Sequence, residues 1–92
     1  MVLNLLEQDA YDIAVTGYDK AVMLYCKLYN TSEKEIGKDN FHDRNLGKTL
    51  YALGRVHVAK SSVAKAERYC RLAAKCGYGP AKEFCDKYKI KY

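Results

Sequence analysis

Apolar residues recur along the chain at the three- and four-residue spacing of amphipathic helices. In the second half this spacing marks segments 45–59, 63–76 and 81–89. In the first half it marks 3–15 and 18–29, with Thr16-Gly17 between them. No segment alternates apolar and polar residues as a half-buried strand does. The pattern predicts an all-α fold of five helices.

Each predicted helix has one apolar face, which we expect to be buried. The inward positions are expected to be Leu3, Leu6, Ala10, Ile13 and Ala14 in the first helix, Ala21, Leu24, Tyr25 and Leu28 in the second, Leu46, Leu50, Leu53, Val56 and His57 in the third, Ala66, Tyr69, Cys70 and Ala73 in the fourth, and Phe84, Cys85 and Tyr88 in the fifth. Ser61-Ser62 predicts a turn and an N-cap, Gly77 a left-handed C-terminal cap, and Pro80 the start of the last helix.

A polar connector, 31–44, separates the two halves of the chain. Ile36 and Phe41 are its apolar anchors, and Thr31 or Ser32 followed by Glu35 is the spacing that caps a short helical turn.

Length and composition restrict the class of protein. With 92 residues, 49% hydrophobic and 29% charged, the chain is long enough for one globular domain. It has no apolar run of the ~18 residues that a membrane span needs, so we expect no membrane association. Its start lacks the basic leader of a secretory signal, which indicates an intracellular, cytoplasmic protein. The four cysteines are then expected to be reduced thiols.

Charge is divided unevenly along the chain. Residues 1–43 carry eight acidic side chains and four lysines, whereas residues 44–92 carry twelve basic and three acidic side chains, and the net charge is +5. This asymmetry favours an acidic partner, or association of the chain with a second copy of itself. The alternative is a solvated surface whose charges happen to be segregated.

The second half resembles a known helical repeat. Leu50, Ala52-Leu53-Gly54, Lys65-Ala66, Tyr69, Ala73-Ala74, Gly77 and Ala81 follow the spacing of the tetratricopeptide family and, more closely, of the longer Sel-like repeat. The resemblance covers residues 46–84. An earlier copy, Lys20-Ala21 followed by Tyr25-Cys26, is degenerate.

The resemblance implies antiparallel helix pairs within a single domain, 1–92. Its parts would be a degenerate pair over 1–30, the connector 31–44, a well-matched repeat over 45–77 and a capping helix over 80–89. In such families the first helix of each pair lines a groove that holds a partner segment. Carried onto this chain, the groove residues are Lys48, Tyr51, Arg55 and Val58, bordered by Lys82. The implied function is that of a small adaptor or inhibitor, with a protein or peptide partner that is acidic because Lys48 and Arg55 are basic.

A second basic set gives the alternative function. Lys65, Arg68, Arg71 and Lys75 form a stripe on the outer side of the fourth predicted helix. Such a stripe is able to meet nucleic-acid phosphates or another acidic partner, whereas the simpler interpretation is a solvated helix face.

Catalytic and metal chemistry have little support in the sequence. His42 lies near Asp39 and Asp43, but no nucleophile completes a catalytic arrangement, so we expect no enzyme and no cofactor. Cys70, Cys76 and Cys85 with His57 match no zinc spacing, and we expect no metal. Secreted relatives of the Sel-like family bridge positions comparable to Cys76 and Cys85, but in an intracellular chain we expect these thiols to stay reduced.

Overall fold

Four α-helices account for most of the computed structural model, which describes residues 5–36 and 43–92. They are α1 (Leu5–Leu28), α2 (Arg44–Ala59), α3 (Val63–Lys75) and α4 (Gly79–Lys87), and a 3₁₀ turn, Glu33–Glu35, follows α1. Since no described residue lies in a strand, the all-α class is confirmed. Predictions for Leu3, Asp39, Phe41 and His42, and for the side chain of Leu6, lie outside the described residues.

The predicted break at Thr16-Gly17 is wrong, because α1 runs through it as one helix. The Thr16 hydroxyl donates to the Asp12 carbonyl, one turn earlier, at 3.0 Å, which keeps the threonine inside the helix. A single glycine in a helix interior lowers the stability of the helix by only about 1 kcal/mol. The helix-forming residues on both sides contribute more than this. The degenerate helix pair expected over 1–30 is therefore one long helix, and the described helices number four instead of five.

The face that α1 buries also differs from the prediction. Ile13, Leu24 and Leu28, which were expected inside, are 73%, 53% and 72% exposed. Ala10 is exposed too, while Ala14, Ala21 and Tyr25 are half-buried. The side that packs against the core carries Val22, 5% exposed, and the half-buried Val15, Tyr18, Tyr25 and Cys26. Both sides of α1 are apolar, so periodicity cannot choose between them, and the side with two tyrosines has more area to bury.

Helix α2 is the centre of the fold, since α1, α3 and α4 all pack against it. Its predicted inner face is confirmed, with Leu46, Leu50 and Leu53 fully buried and His57 4% exposed. Val56 is half-buried. From α3 and α4 the core receives mainly small side chains, namely Ala66, Cys70, Ala73, Ala74, Cys76, Ala81 and Cys85. Large residues on α2 thus face small ones on its neighbours, as close packing of helices requires.

Two glycines let α2 approach α3 closely. A Cβ on Gly54 would lie 2.6 Å from the Cys70 sulfur and 3.3 Å from the Ala66 carbonyl oxygen. A Cβ on Gly47, one heptad earlier, would lie 3.1 Å from the Cβ of Cys76. Gly54 and Ala66 belong to the residue spacing on which the family resemblance rests, whereas Gly47 does not.

The predicted ends of α3 and α4 are largely confirmed. Gly77 has φ +86°, the left-handed conformation that glycine adopts without strain, and Pro80 lies in the first turn of α4. The turn at Ser61 exists, with φ +60°. Ser62 occupies the N-cap position of α3, but its side chain makes no capping hydrogen bond there.

Asp43 joins the end of α1 to the start of α2. One carboxylate oxygen accepts the backbone N–H of Leu46 at 2.8 Å, which caps α2, and the other accepts the hydroxyl of Tyr29. The Tyr29 hydrogen bond, followed by that of Leu46, lowers the pKa of the Asp43 carboxyl. The two ends of the connector are thereby held together.

We expect Asp43→Ala to lower the free energy of unfolding by about 1 kcal/mol, the usual cost of a lost N-cap. Asp43→Asn keeps an oxygen for the Leu46 N–H and should restore most of that loss. Urea denaturation of the three proteins measures both values. Equal losses in the two variants would show that the cap is unimportant.

Candidate functional site

A shallow groove lies between α2 and α4, with a volume of about 250 Å³. We call it the α2–α4 groove, and it is lined by Tyr51, Arg55, Pro80, Glu83, Phe84, Lys87 and Tyr88. Aromatic rings and positive charges therefore share one surface.

The aromatic rings of this region form a continuous series. Tyr51 is its centre, with its ring centroid 5.7 Å from that of Tyr78 and 6.0 Å from that of Phe84, in an edge-to-face arrangement with the latter. Phe84 in turn lies 4.7 Å from Tyr88. Burial raises the pKa of the Tyr51 phenol above its ordinary value, so this phenol is uncharged at neutral pH. The rings offer a rigid apolar platform at the surface.

Two cations lie over this platform. The guanidinium carbon of Arg55 is 5.6 Å from the centroid of Phe84, and the Lys87 ammonium nitrogen is 5.5 Å from that of Tyr88. At these distances each cation is attracted by the electron-rich ring face. Arg55 is consequently positioned before any ligand arrives.

The sequence-predicted groove residues are only partly gathered here. Tyr51 and Arg55 line the α2–α4 groove, as the resemblance implied. Lys48, Val58 and Lys82 are exposed but do not line it.

The sequence placed Lys82 of the last helix at the border of the groove but missed the residues of α4 that line it. Phe84 and Tyr88 were both expected to point into the core, whereas Phe84 is half-buried and Tyr88 is 57% exposed. The signal was present in the spacing, because Pro80, Phe84 and Lys87 are three and four residues apart and so share one helix face. Cys85 alone of the predicted inner face of this helix is fully buried.

A larger groove, of about 970 Å³, separates α1 from α3. We call it the α1–α3 groove. Its apolar lining consists of Val22, Met23, Cys26, Ile36 and Leu72, and its charged lining consists of Asp19, Lys34, Arg68, Arg71 and Lys75. Four cations against one carboxylate make it a basic surface with an apolar floor.

Most of the predicted basic stripe of α3 lines this second groove. Arg68, Arg71 and Lys75 are lining residues, whereas Lys65 is exposed and lies elsewhere. Arg71 is half-buried, and its Nε has no hydrogen-bond partner among the described residues. The guanidinium of Arg68 lies 5.6 Å from the ring centroid of Tyr69. The stripe therefore borders a groove instead of being a flat solvated face.

His57 is buried in the core and stacks on Tyr69, with ring centroids 5.5 Å apart and planes 12° apart. Its Nδ1 has no hydrogen-bond partner among the described residues. Burial, and then the positive charges of Lys65 and Lys60, lower the pKa of the imidazole below its ordinary value of 6.5. The ring is neutral at pH 7 and acts in packing.

This shift makes stability depend on pH. Because the pKa of His57 is lower in the folded than in the unfolded chain, the unfolded chain binds the proton more readily. The contribution of the neutral His57 ring to the free energy of unfolding is therefore fully present above the ordinary pKa of 6.5. It falls as the pH drops below that value. Urea denaturation between neutral and mildly acidic pH should show this loss, and His57→Phe, which keeps a ring against Tyr69, should flatten it. An unchanged slope in the variant would contradict the assignment.

The four cysteines form no disulfide, and Cys70, Cys76 and Cys85 are buried. Burial raises the pKa of the Cys70 and Cys76 thiols to about 11 and also raises that of Cys85. Buried, protonated thiols react slowly. Within residues 5–36 and 43–92, no three His, Cys, Asp or Glu side chains are grouped so that they could hold a metal ion.

None of the helices in the described ranges combines the length and apolar character needed to cross a bilayer. Comparisons of this chain with protein-family models, with curated proteins and with solved structures gave no match. The resemblance to the tetratricopeptide and Sel-like families therefore rests on the residue spacing of 46–84 alone.

Proposed function

We propose that this chain is a small protein–protein interaction module, an adaptor or an inhibitor, that holds an acidic partner segment in the α2–α4 groove. The observation that carries the proposal is the Arg55 guanidinium, placed over Phe84 beside Tyr51. A side chain that is already ordered loses less conformational entropy on binding. Large aromatic side chains and arginine are also the residue types that contribute most to protein interfaces.

The groove suits part of a polypeptide better than a small molecule. Its volume of about 250 Å³ is below the ~300–1,000 Å³ of ordinary ligand pockets. An apolar side chain of the partner would lie on Tyr51 and Phe84. A neighbouring carboxylate would accept two hydrogen bonds from Arg55 and lie near Lys87.

The helical-repeat relationship is part of the proposal. It is supported by α2, α3 and α4, which follow the repeat and capping segments, and by close approach at Gly54 against Ala66. The continuous helix α1 departs from the pattern. With one well-matched repeat, the molecule would act as a short adaptor and not as an extended array.

The test uses a fluorescent peptide that alternates glutamate and phenylalanine, with a lysine–phenylalanine peptide as its control. We expect only the acidic peptide to bind. Arg55→Glu/Lys87→Glu, which reverses the two cations that line the groove, should weaken this binding by at least about tenfold. Arg68→Glu/Lys75→Glu is the matched control, since it changes the net charge equally on the other groove.

Two results would contradict the proposal. Equal losses in the two double variants would mean that the peptide responds to net charge. A larger loss in Arg68→Glu/Lys75→Glu would transfer the binding site to the α1–α3 groove. Arg71 is left unchanged in both variants. Its side chain is half-buried, so a charge reversal there would disturb folding as well as binding.

Nucleic-acid binding is the second candidate, favoured by the cations of the α1–α3 groove, Lys34, Arg68, Arg71 and Lys75. We expect any such binding to depend on phosphates, because none of the described residues that line this groove is aromatic and able to stack on bases. For a labelled duplex, the logarithm of the affinity should then fall linearly with the logarithm of the salt concentration, with a slope of about −0.9 per phosphate contact. Arg68→Glu/Lys75→Glu should abolish binding while Arg55→Glu/Lys87→Glu preserves it, and the reverse order would exclude this candidate.

A further inference from the structure

Helix α1 has a second apolar face that nothing in the described chain covers. Ile13 and Leu28 are 73% and 72% exposed, Leu24 is 53% exposed, and Ala10 and Gly17 are exposed as well. Together with the half-buried Ala21, these residues define the outer α1 face: Ala10, Ile13, Gly17, Ala21, Leu24 and Leu28. At 100° per residue, they form a stripe on the side of α1 opposite the buried Val22.

Gly17 has no role within the single chain. A Cβ added there would meet no atom within 4 Å, and the residue is helical. Glycine weakens a helix interior relative to alanine, so its presence in the middle of α1 has no explanation in the monomer. Its missing side chain would allow another helix to approach closely.

Charges at the two ends of this face are complementary. Asp9 lies beside the face near the start of α1, and Lys27 lies beside it on the same flank near the end. The two are 18 residues apart in one helix, about 27 Å, so they cannot pair with each other within one molecule. Antiparallel alignment with a second α1 brings each within reach of its opposite.

We propose that the outer α1 face binds α1 of a second copy of this chain, antiparallel, around a two-fold axis near residues 18 and 19. In this register Ile13 lies opposite Leu24 of the partner copy, and Ala10 opposite its Leu28. Gly17 lies opposite Ala21, so that small residues meet where the helices are closest. Asp9 lies opposite Lys27.

One register therefore satisfies the large side chains, the small side chains and the Asp9–Lys27 pairs together. It also brings Lys20, which lies on the same flank, near Lys20 of the partner copy, a like-charge approach beside the axis. Because the axis is two-fold, each pair occurs twice, as in an isologous dimer. In a parallel alignment the flank that carries Asp9 and Lys27 would face the opposite flank of the partner helix, so these two residues would not pair. The partner is thus a second copy in the antiparallel orientation.

Sedimentation equilibrium over a range of protein concentrations is the first test. We expect the mass to rise from the 10.5 kDa monomer to twice that value. Leu24→Glu should raise the dimer dissociation constant at least about tenfold, because it places a carboxylate in an apolar interface. Met23→Glu is the matched control, since Met23 is also 53% exposed but lies on the side that lines the α1–α3 groove.

A charge exchange tests the orientation. Asp9→Lys and Lys27→Asp should each weaken the dimer several-fold, and the double variant Asp9→Lys/Lys27→Asp should restore it because both pairs reform with reversed signs. A chain that stays monomeric, a dimer unaffected by Leu24→Glu, or a double variant as weak as either single variant would overturn the proposal. None of these substitutions touches the α2–α4 groove, so failure here leaves the proposed peptide binding intact.

Discussion

Gly54→Leu is expected to destabilise the protein by about 3 kcal/mol, at the upper end of the cost of overpacking a core. Even the first added carbon would lie 2.6 Å from the Cys70 sulfur, 3.2 Å from the Cys70 backbone nitrogen and 3.3 Å from the Ala66 carbonyl oxygen. Two of these three atoms belong to the backbone of α3 and cannot move without shifting the helix. Relief of the clash would separate α2 from α3.

A matched pair of smaller substitutions separates this steric effect from helix propensity. Gly54→Ala and Gly17→Ala make the same chemical change in the interior of a helix. Because Gly17 has open space around it, its variant should gain about 0.5–1 kcal/mol, whereas Gly54→Ala should lose stability. Thermal and urea unfolding at low protein concentration measure both. If both variants gained stability, the close approach of α2 and α3 would be disproved.

Leu50→Ala is expected to cost about 2–5 kcal/mol. Leu50 is fully buried on α2, the helix against which the other three pack, so a cavity there would weaken the packing of α2 against its neighbours. Leu24→Ala, at a 53% exposed position, should change the stability of the monomer by no more than about 0.5 kcal/mol. A loss at Leu50 as small as that expected at Leu24 would mean that the core is assigned to the wrong face of α2.

The second half of the chain could be predicted from the sequence because its helices have one apolar face each. Residues 45–59 carry leucines on one side and charges on the other, and the observed α2, Arg44–Ala59, begins one residue before the predicted start. The end of α3 was equally clear, since Gly77 supplies the left-handed residue that stops the helix. Local chemistry and tertiary packing agree in these elements.

Helix α1 could not be predicted correctly, because both of its sides are apolar. The stripe through Ile13 and Leu24 is as regular as the stripe through Tyr18 and Val22. Which of the two is buried depends on the packing against α2. Gly17 caused a second error, the predicted division of α1 into two helices. A glycine in a sequence indicates a helix break, but a long helix tolerates one.

The sequence predicted only some of the residues that line the candidate groove. Tyr51 and Arg55 follow from their positions on the first helix of the pair that the sequence resemblance implies. Phe84 and Tyr88 were assigned to the core because aromatic residues at helical spacing are usually buried. Helix α4 is short, and its core contact is provided by Ala81 and Cys85, which are fully buried. Tyr88 is therefore left at the surface, whereas Phe84 is half-buried against the core and contacts Arg55 with its ring.

The central claim is that the α2–α4 groove holds an acidic segment. The most direct measurement is an NMR titration of the isotope-labelled protein with the glutamate–phenylalanine peptide. We expect the largest changes in chemical shift at Tyr51, Arg55, Phe84 and Lys87, and we expect these changes to follow one saturable curve. Changes concentrated at Arg68 and Lys75, or no saturable change at all, would contradict it.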